Sequence, residues 1–244
     1  TANTANEYYF TVRATDQEGH FTDKDFVLTV AVSGDDNFAD TVLLLNGDGA
    51  DGAQNNTFLD SSINTHTITR NGNPTQGSFS PFSPDEGMWG NYFDGTGDYL
   101  NIPHDASFTL DGAFTIEMWV NFDSQSQSYW DSIVSIGKDA TDSATSGNGS
   151  TIYHTNSTSG GTDGSIVFQV GTGNRVFSTE VLRGTGWRHV AATRDASNVC
   201  RLFVDGVEQG TSLTASDSVN ATKFGARIGH GNDSQNNFYD GYVS

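Results

Sequence analysis

The stretch Gly186–Gly210, GWRHVAATRDASNVCRLFVDGVEQG, constrains the fold more than any other part of the chain. His189, Ala191 and Thr193 alternate with Val190, Ala192 and Arg194, and Cys200, Leu202 and Val204 alternate with Arg201, Phe203 and Asp205. A period of two puts alternate side chains on opposite faces of a half-buried antiparallel strand pair. The polar run Asp195-Ala196-Ser197-Asn198 joins the two strands. Asp205-Gly206 supplies a second turn, in which glycine takes a positive φ at no steric cost. Trp187 at the strand entry is a large apolar anchor. The stretch dictates sheet core and carries no chemistry of its own.

The same texture runs through the chain. Residues 7–33 read as a hairpin: EYYFTVRATD, the turn QEGHFTDK, then DFVLTVAV. Tyr8, Phe10, Val12 and Ala14 share one face of its first strand, as Phe26, Leu28 and Val30 do of its second. An isolated two-stranded unit is marginal in water, so this hairpin is predicted to close a small β-sandwich whose earlier strands precede Thr1. Phe114–Phe122 is the clearest single strand, with Phe114, Ile116, Met118, Val120 and Phe122 facing one way. SIVSIG, STIYHT, SIVFQV and RVFST follow as shorter ones. Between Lys138 and Gly164 a Ser/Thr/Gly/Asp-rich tract, broken by Ile152-Tyr153, reads as a long rim loop around one short strand. No segment has a helical period and no tandem repeat is present. Many short strands separated by turn signals predict an all-β sandwich or jelly roll. Both ends of the sequence fall within strands, which reads as a piece of a longer protein.

Charge excludes two partner classes. With 11 Lys+Arg against 30 Asp+Glu the net charge is −19, so the chain lacks the basic face of a nucleic-acid binder. Anionic membrane surfaces are disfavoured for the same reason, and no run approaches the roughly 18 apolar residues of a membrane span. Such acidity suits an extracellular setting rich in salt or divalent cations. Cys200 is the single cysteine, which leaves no internal disulfide framework. On a face with Leu202 and Val204 it reads as a small buried hydrophobe.

FDGTGDYLNIP, FTIEMWVNF, GWRHVAATRD, RLFVDGVEQG and the terminal FYDGYVS, in that order over some two hundred residues, resemble the laminin G-like, concanavalin A-like jelly-roll domains of secreted bacterial and phage proteins. FTVRATDQEGHFTDKDFVLTV resembles the end of a cadherin-like repeat. It lacks the acidic linker of calcium-binding cadherins, of which Ser33-Gly34-Asp35-Asp36-Asn37 is a rough echo. The resemblances imply a two-sheet antiparallel sandwich over residues 40–244, preceded by a truncated cadherin-like or Ig-like hairpin over 1–34 and a linker over 35–39. They also imply carbohydrate or protein recognition, calcium at the rim, and display on an extracellular, cell-surface or virion protein of tail-fibre type. Its partners would be a glycan or cell-surface ligand and neighbouring domains of the same chain. A second reading is a structural spacer or decoration domain without a ligand.

The fold also hosts glycosidases, so carboxylates need a direct test. Retaining hydrolysis requires two carboxyl groups about 5–5.5 Å apart. Glu117 is followed on its strand face by Trp119 and Asn121, with no second acid, and reads as a polar-face residue. Asp85 and Glu86 in SPDEGMW echo a sialidase Asp-box, but the spacing is one residue short and occurs once, which favours a turn. No HExxH, GxSxG, P-loop or dinucleotide fingerprint occurs. A non-enzymatic domain is therefore expected, with glycoside hydrolysis as a third reading. Calcium takes six to eight oxygen ligands, and the loop Asn46–Gly52 offers Asp48 and Asp51, with Asp240 on the terminal strand as a third ligand. The alternative for these Asp-Gly pairs is ordinary turn formation. Sugar stacking needs exposed rings, and Trp89, Tyr92, Trp119, Tyr129, Trp130, Tyr153 and Tyr239 are the candidates. The alternative for each is a place in the core.

Overall fold

Strands Asn6–Thr15 (β1) and Phe21–Val30 (β2) pair antiparallel with Tyr8 opposite Leu28 and Phe10 opposite Phe26. The second strand begins at Phe21, so the connecting turn is shorter than the sequence suggests. Arg13 donates to Asp23 at 2.6 Å and lies over the Phe21 ring. These strands belong to the first of two compact units, 1–41 and 42–244. The structure, a computed structural model, describes residues 6–15, 17–30, 38–47, 54–82, 88–122, 130–137, 149–155, 161–171, 173–219, 224–231 and 237–244.

In chain order the second unit contains β3 (Gln54–Asn55), β4 (Thr69–Asn71), β5 (Thr75–Gly77), β6 (Gly90–Asp94), β7 (Tyr99–Pro103) and β8 (Phe114–Asn121). There follow β9 (Trp130–Ile136), β10 (Ser150–Thr155), β11 (Ser165–Val170), β12 (Asn174–Val181) and β13 (Arg188–Arg194). The last are β14 (Val199–Val204), β15 (Val207–Thr214), β16 (Phe224–Ile228) and β17 (Asp240–Val243). They form a seven-stranded sheet, β12-β11-β10-β9-β16-β7-β4, and an eight-stranded sheet, β15-β14-β13-β8-β17-β6-β5-β3, each pair of neighbouring strands being antiparallel. The architecture is the two-sheet antiparallel sandwich that the alternating strands predict.

The core lies between the sheets because each inner face is apolar. Leu100, Ile102, Ile152, Ile166, Phe168 and Val176 come from the seven-stranded sheet, and Phe93, Val120, Val190, Ala192, Leu202 and Val204 from the other. The hairpin that organises the sequence is β13–β14, with Val190 opposite Val204 and Ala192 opposite Leu202. Its second turn, with Asp205 at φ 48° and Gly206 at φ 78°, leads straight into β15. Both central residues having positive φ gives the tight two-residue hairpin turn whose twist matches that of the strands. Strand β10 is the short strand STIYHT that the sequence predicts, six residues long, buried throughout, and paired on both sides by β9 and β11.

One edge of the sandwich is stitched shut. Strand β12 bulges where its register to β11 shifts between Ser165 and Val167, which turns Thr179 and Glu180 toward β15. There the Gln209 carboxamide oxygen accepts from Thr179 N at 3.2 Å, Thr179 Oγ1 at 2.8 Å and Glu180 N at 3.3 Å. Gly210 follows at φ 63°, and a Cβ there would overlap the carbonyl oxygen of Phe177. Gly210→Ala is therefore expected to cost about 2 kcal/mol through combined backbone strain and backbone overlap. Urea unfolding would check it, and an unchanged midpoint would show that the edge yields without cost.

Candidate functional site

The side of the seven-stranded sheet that faces away from the core carries one wholly polar row and two rows in which polar and apolar side chains mix. Register places Asn101 of β7 beside Arg227 of β16, then Ser135 of β9, Thr151 of β10, Gln169 of β11 and Arg175 of β12. A second row holds Ser132, Tyr153, Val167 and Phe177, and a third Trp130, Thr155 and Ser165. The cause is local and simple: in STIYHT and SIVFQV the residues Ile152, Ile166 and Phe168 go to the core, so their alternating neighbours go outward.

The first row is hydrogen-bonded along its length. Arg227 Nε donates to Asn101 Oδ1 at 3.1 Å, and the hydroxyls of Ser135 and Thr151 lie 3.3 Å apart. Arg175 Nε donates to Gln169 Oε1 at 3.0 Å, and Gln169 Nε2 in turn donates to the Gly171 carbonyl at 2.8 Å. At the β12 end the face opens into a cavity of about 610 Å³, lined by Gly161, Thr162, Arg175 and Phe177 and, across the sandwich edge, by Gly210 and Thr211. Gly161 is close-packed: a Cβ there would stand 2.8 Å from Thr155 Cγ2, 2.9 Å from Phe177 Cδ1 and 3.1 Å from Ser165 Oγ.

Three donors on this face are buried without a hydrogen-bond partner among the described residues: Trp130 Nε1, the Tyr153 hydroxyl and Ser165 Oγ. Unpaired buried polar atoms are uncommon because each forfeits its hydration, so three on neighbouring rows of one face mark a place that water or a polar ligand can satisfy. Burial pushes the Tyr153 phenol up to about 12, against the pull of the Arg175 charge, so it stays a neutral O–H at physiological pH.

The aromatic candidates separate sharply. Trp130 and Tyr153 come together on this face, although Tyr153 is only 3% exposed and offers its hydroxyl rather than its ring. Tyr129 lies outside the described residues. Trp89 and Tyr239, at 2% and 1% exposure, have no ring face to present to a sugar, and the expectation that they stack on a ligand is withdrawn. Trp89 is pinned by its amide to the Gly47 carbonyl; the Tyr239 ring packs on Phe93 and Phe122 while its hydroxyl donates to the carbonyl of Tyr242 at 3.2 Å. Trp119 sits on the other sheet's outer face, half-buried between Phe82 and His189. Tyr92 lies farther along the same surface, packed on Tyr242. Glu117, on the strand of Trp119, is exposed, with His189 Nε2 at 3.7 Å.

Asp48 and Asp51, like Asp35, Asp36, Asp85 and Glu86, lie outside the described residues. Asp240 stands directly opposite Asp94 in the β17–β6 pair. No group of three His, Cys, Asp or Glu side chains that could hold a metal ion occurs among the described residues.

Sequence reasoning missed a serine–histidine–aspartate chain. Asp60 Oδ2 lies 2.7 Å from His66 Nδ1, and His66 Nε2 lies 3.0 Å from Ser107 Oγ. The spacing is that of a hydrolytic triad, but the surroundings are structural. Asp105 Oδ1 accepts from Ser107 N at 2.9 Å, and the carbonyl of Asp105 accepts from Phe108 N at 3.1 Å, so the amides beside the hydroxyl are spent on the turn Ala106–Phe108. Without free N–H donors an oxyanion has nothing to stabilise it, and the Asp105 carboxylate would repel it. The chain fastens the turn to the 60–66 segment. Separations of 6 and 41 residues gave no local signal for it.

The fold has recognisable relatives. The binding domain of Paraclostridial Mosquitocidal Protein 1 matches with a TM-score of 0.56 at 13% identity, over 82% of this chain and 47% of that one. The botulinum neurotoxin serotype G binding domain matches equally, over 83% and 45%. The serotype D ligand-binding domain, solved with N-acetylneuraminic acid, does so at 14% identity over 84% and 46%. This chain thus spans under half the length of each of these domains, and the likeness is one of fold. No curated protein matches the sequence. Residues 94–244, more than half of the chain, match a described family from β6 to the end of β17. By that match the chain belongs to the concanavalin A-like lectin/glucanase superfamily.

Proposed function

We propose that residues 42–244 form a non-catalytic glycan-binding module of an extracellular protein, with the ligand seated at the β12 end of the seven-stranded sheet's outer face. One observation carries the reading: a cavity holding an aromatic ring and a guanidinium, on a face where three buried donors lack partners. A sugar would offer hydroxyls to Arg175, Thr162 and Thr211, which line the cavity, and an apolar C–H face to the Phe177 ring. The three rows of this face present Ser, Thr, Asn, Gln, Arg, Tyr, Trp, Phe and Val, with no carboxylate among them, whereas glycoside hydrolysis needs two carboxyl groups on either side of the bond. That composition favours holding a glycan over cutting it. No helix among the described residues is long and apolar enough to cross a membrane. Display on a virion or adhesive surface after a cadherin-like repeat, and calcium held by Asp240 with Asp48 and Asp51, belong to the same proposal.

A glycan array with the full chain tests it, run once with calcium and once with a chelator. The array should include sialylated probes, since a domain of similar fold was solved with N-acetylneuraminic acid. Binding is expected to fall at least about tenfold, or about 1.4 kcal/mol, in Phe177→Ala with the melting temperature preserved. A chelator that changes neither binding nor melting would remove calcium from the proposal. A wild-type chain that binds no saccharide would favour the structural-spacer reading.

A further inference from the structure

We infer that the β12-end cavity is built for an anionic saccharide, a sugar bearing a carboxylate or sulfate, with Arg175 as the partner of the negative group. The inference rests on the glycan-binding reading and adds the charge of the ligand. Its basis is how this chain uses its few cations. With 30 acidic residues against 11 basic ones, most arginines are already matched. Arg13 pairs with Asp23, Arg183 with Asp163, Arg188 with Glu180 and Asp205, and Arg201 with Asp195. Arg194 is committed to backbone carbonyls.

Arg70 and Arg227 donate through Nε to the neutral oxygens of Pro74 and Asn101, as Arg175 does to Gln169, and of the three Arg175 is the one that lines the cavity. It faces the cavity, has no carboxylate within ion-pair distance among the described residues, and is held through Nε alone by the neutral oxygen of Gln169. Gln169 is itself fixed by its bond to the Gly171 carbonyl and is only 8% exposed, so the guanidinium is oriented without being neutralised. Its two terminal amino groups form the fork that binds a carboxylate or sulfate through two parallel hydrogen bonds. Phe177, two residues along β12, projects from the same face and supplies the surface on which a pyranose ring lies. The Thr162 and Thr211 side chains border the same cavity as hydroxyl partners. A neutral sugar would leave the oriented guanidinium without a counter-ion, whereas a carboxylate or sulfate adds a charge-assisted pair of hydrogen bonds.

The test uses the full chain and three probes: an oligogalacturonate, the same oligosaccharide with its carboxylates methyl-esterified, and a sulfated galactan oligosaccharide. Working at about 0.15 M salt, where the Debye length is about 8 Å, screens the distant carboxylates but not a direct contact. The acid or the sulfated probe is expected to bind at least about tenfold more tightly than the ester, and which of the two leads identifies the anion. Arg175→Gln should erase that preference, acid and ester then binding within about twofold of each other, and Arg175→Lys should restore part of it. Equal affinity for acid, sulfate and ester, or a preference that survives Arg175→Gln, would overturn the inference while leaving glycan binding intact. Absence of binding to all three, together with a blank array, would overturn both. Thermal melting of each variant separates loss of contact from loss of fold.

Discussion

Arg194→Leu is expected to destabilise the sandwich by about 3–5 kcal/mol. Arg194 is 2% exposed and lies on the inner face of β13, in line with Val190 and Ala192. Its guanidinium donates to the carbonyls of Gly112 at 2.9 Å and Asp217 at 2.7 Å and to that of Leu110, above the Phe114 ring at 4.9 Å. Two loops that would otherwise end in unpaired carbonyls, 110–112 and 215–219, are thereby fastened to the hairpin. Leucine fills much of the volume but leaves three carbonyl acceptors without their donor, each at a cost of up to about 1–3 kcal/mol less whatever water can reach, Gly112 being exposed and Leu110 and Asp217 half-buried. Lysine keeps the charge but cannot reach three divergent carbonyls from one nitrogen, so Arg194→Lys is expected to recover only a minority of the loss. Urea unfolding of the three proteins measures this. A loss below about 1 kcal/mol for leucine would mean that the carbonyls find other partners.

Arg194 also shows what the sequence could and could not say. Its place on the apolar face of the hairpin was legible from period two alone. Nothing in the letters distinguished a buried arginine anchoring two loops from one at the sheet margin, because its three partners lie 82, 23 and 84 residues away. The sandwich was legible for the same reason that its strands were: FTIEMWVNF and RLFVDG alternate cleanly, and alternation is a backbone property. Strand β10 was legible as the strand STIYHT; that it is buried on both faces was not, because the segment lies in a tract otherwise rich in turn formers.

The site was legible only in part. Trp130 and Tyr153 drew notice as rings, and both fall on the outer face of the seven-stranded sheet. Trp89 and Tyr239 drew the same notice and are core, since composition cannot tell a ring that stacks on sugar from one that fills a sandwich. Arg175 and Phe177 went unremarked in RVFST. The available signal was that Arg175 and Phe177 alternate with the buried Val176, which puts a cation and a ring together on the outer face. That they border a cavity depends on the bulge in β12 and the approach of β15, which are tertiary facts.

Asp60→Asn is expected to cost about 3 kcal/mol at neutral pH and to flatten the acid limb of the stability curve. The Asp60 side chain is fully buried, and burial alone would raise its carboxyl. Amides of Leu44, His66 and Ser62, together with the His66 ring, outweigh that and hold it down at about 2. Oδ1 accepts from Leu44 N at 3.0 Å and Ser62 N at 2.9 Å; Oδ2 accepts from Ser62 Oγ at 2.9 Å, His66 N at 2.8 Å and the His66 ring at 2.7 Å. Every direction around the carboxylate is taken by a donor, so the NH₂ of asparagine must point at donors whichever way it turns. Because the folded carboxyl titrates below its ordinary 3.8, its stabilisation is complete above about pH 4 and is lost as pH falls through 2. The amount is about 2 kcal/mol for a shift of this size. Other carboxylates titrate over the same range: burial raises Asp98, whereas hydrogen bonds from Arg183 and Arg188 lower Asp163 and Glu180. The informative quantity is therefore the difference between wild type and Asp60→Asn, measured by urea unfolding from pH 7 to pH 2. That gap should narrow by about 2 kcal/mol between pH 4 and pH 2. Two curves running parallel to pH 2 would show that the clamp holds without its charge.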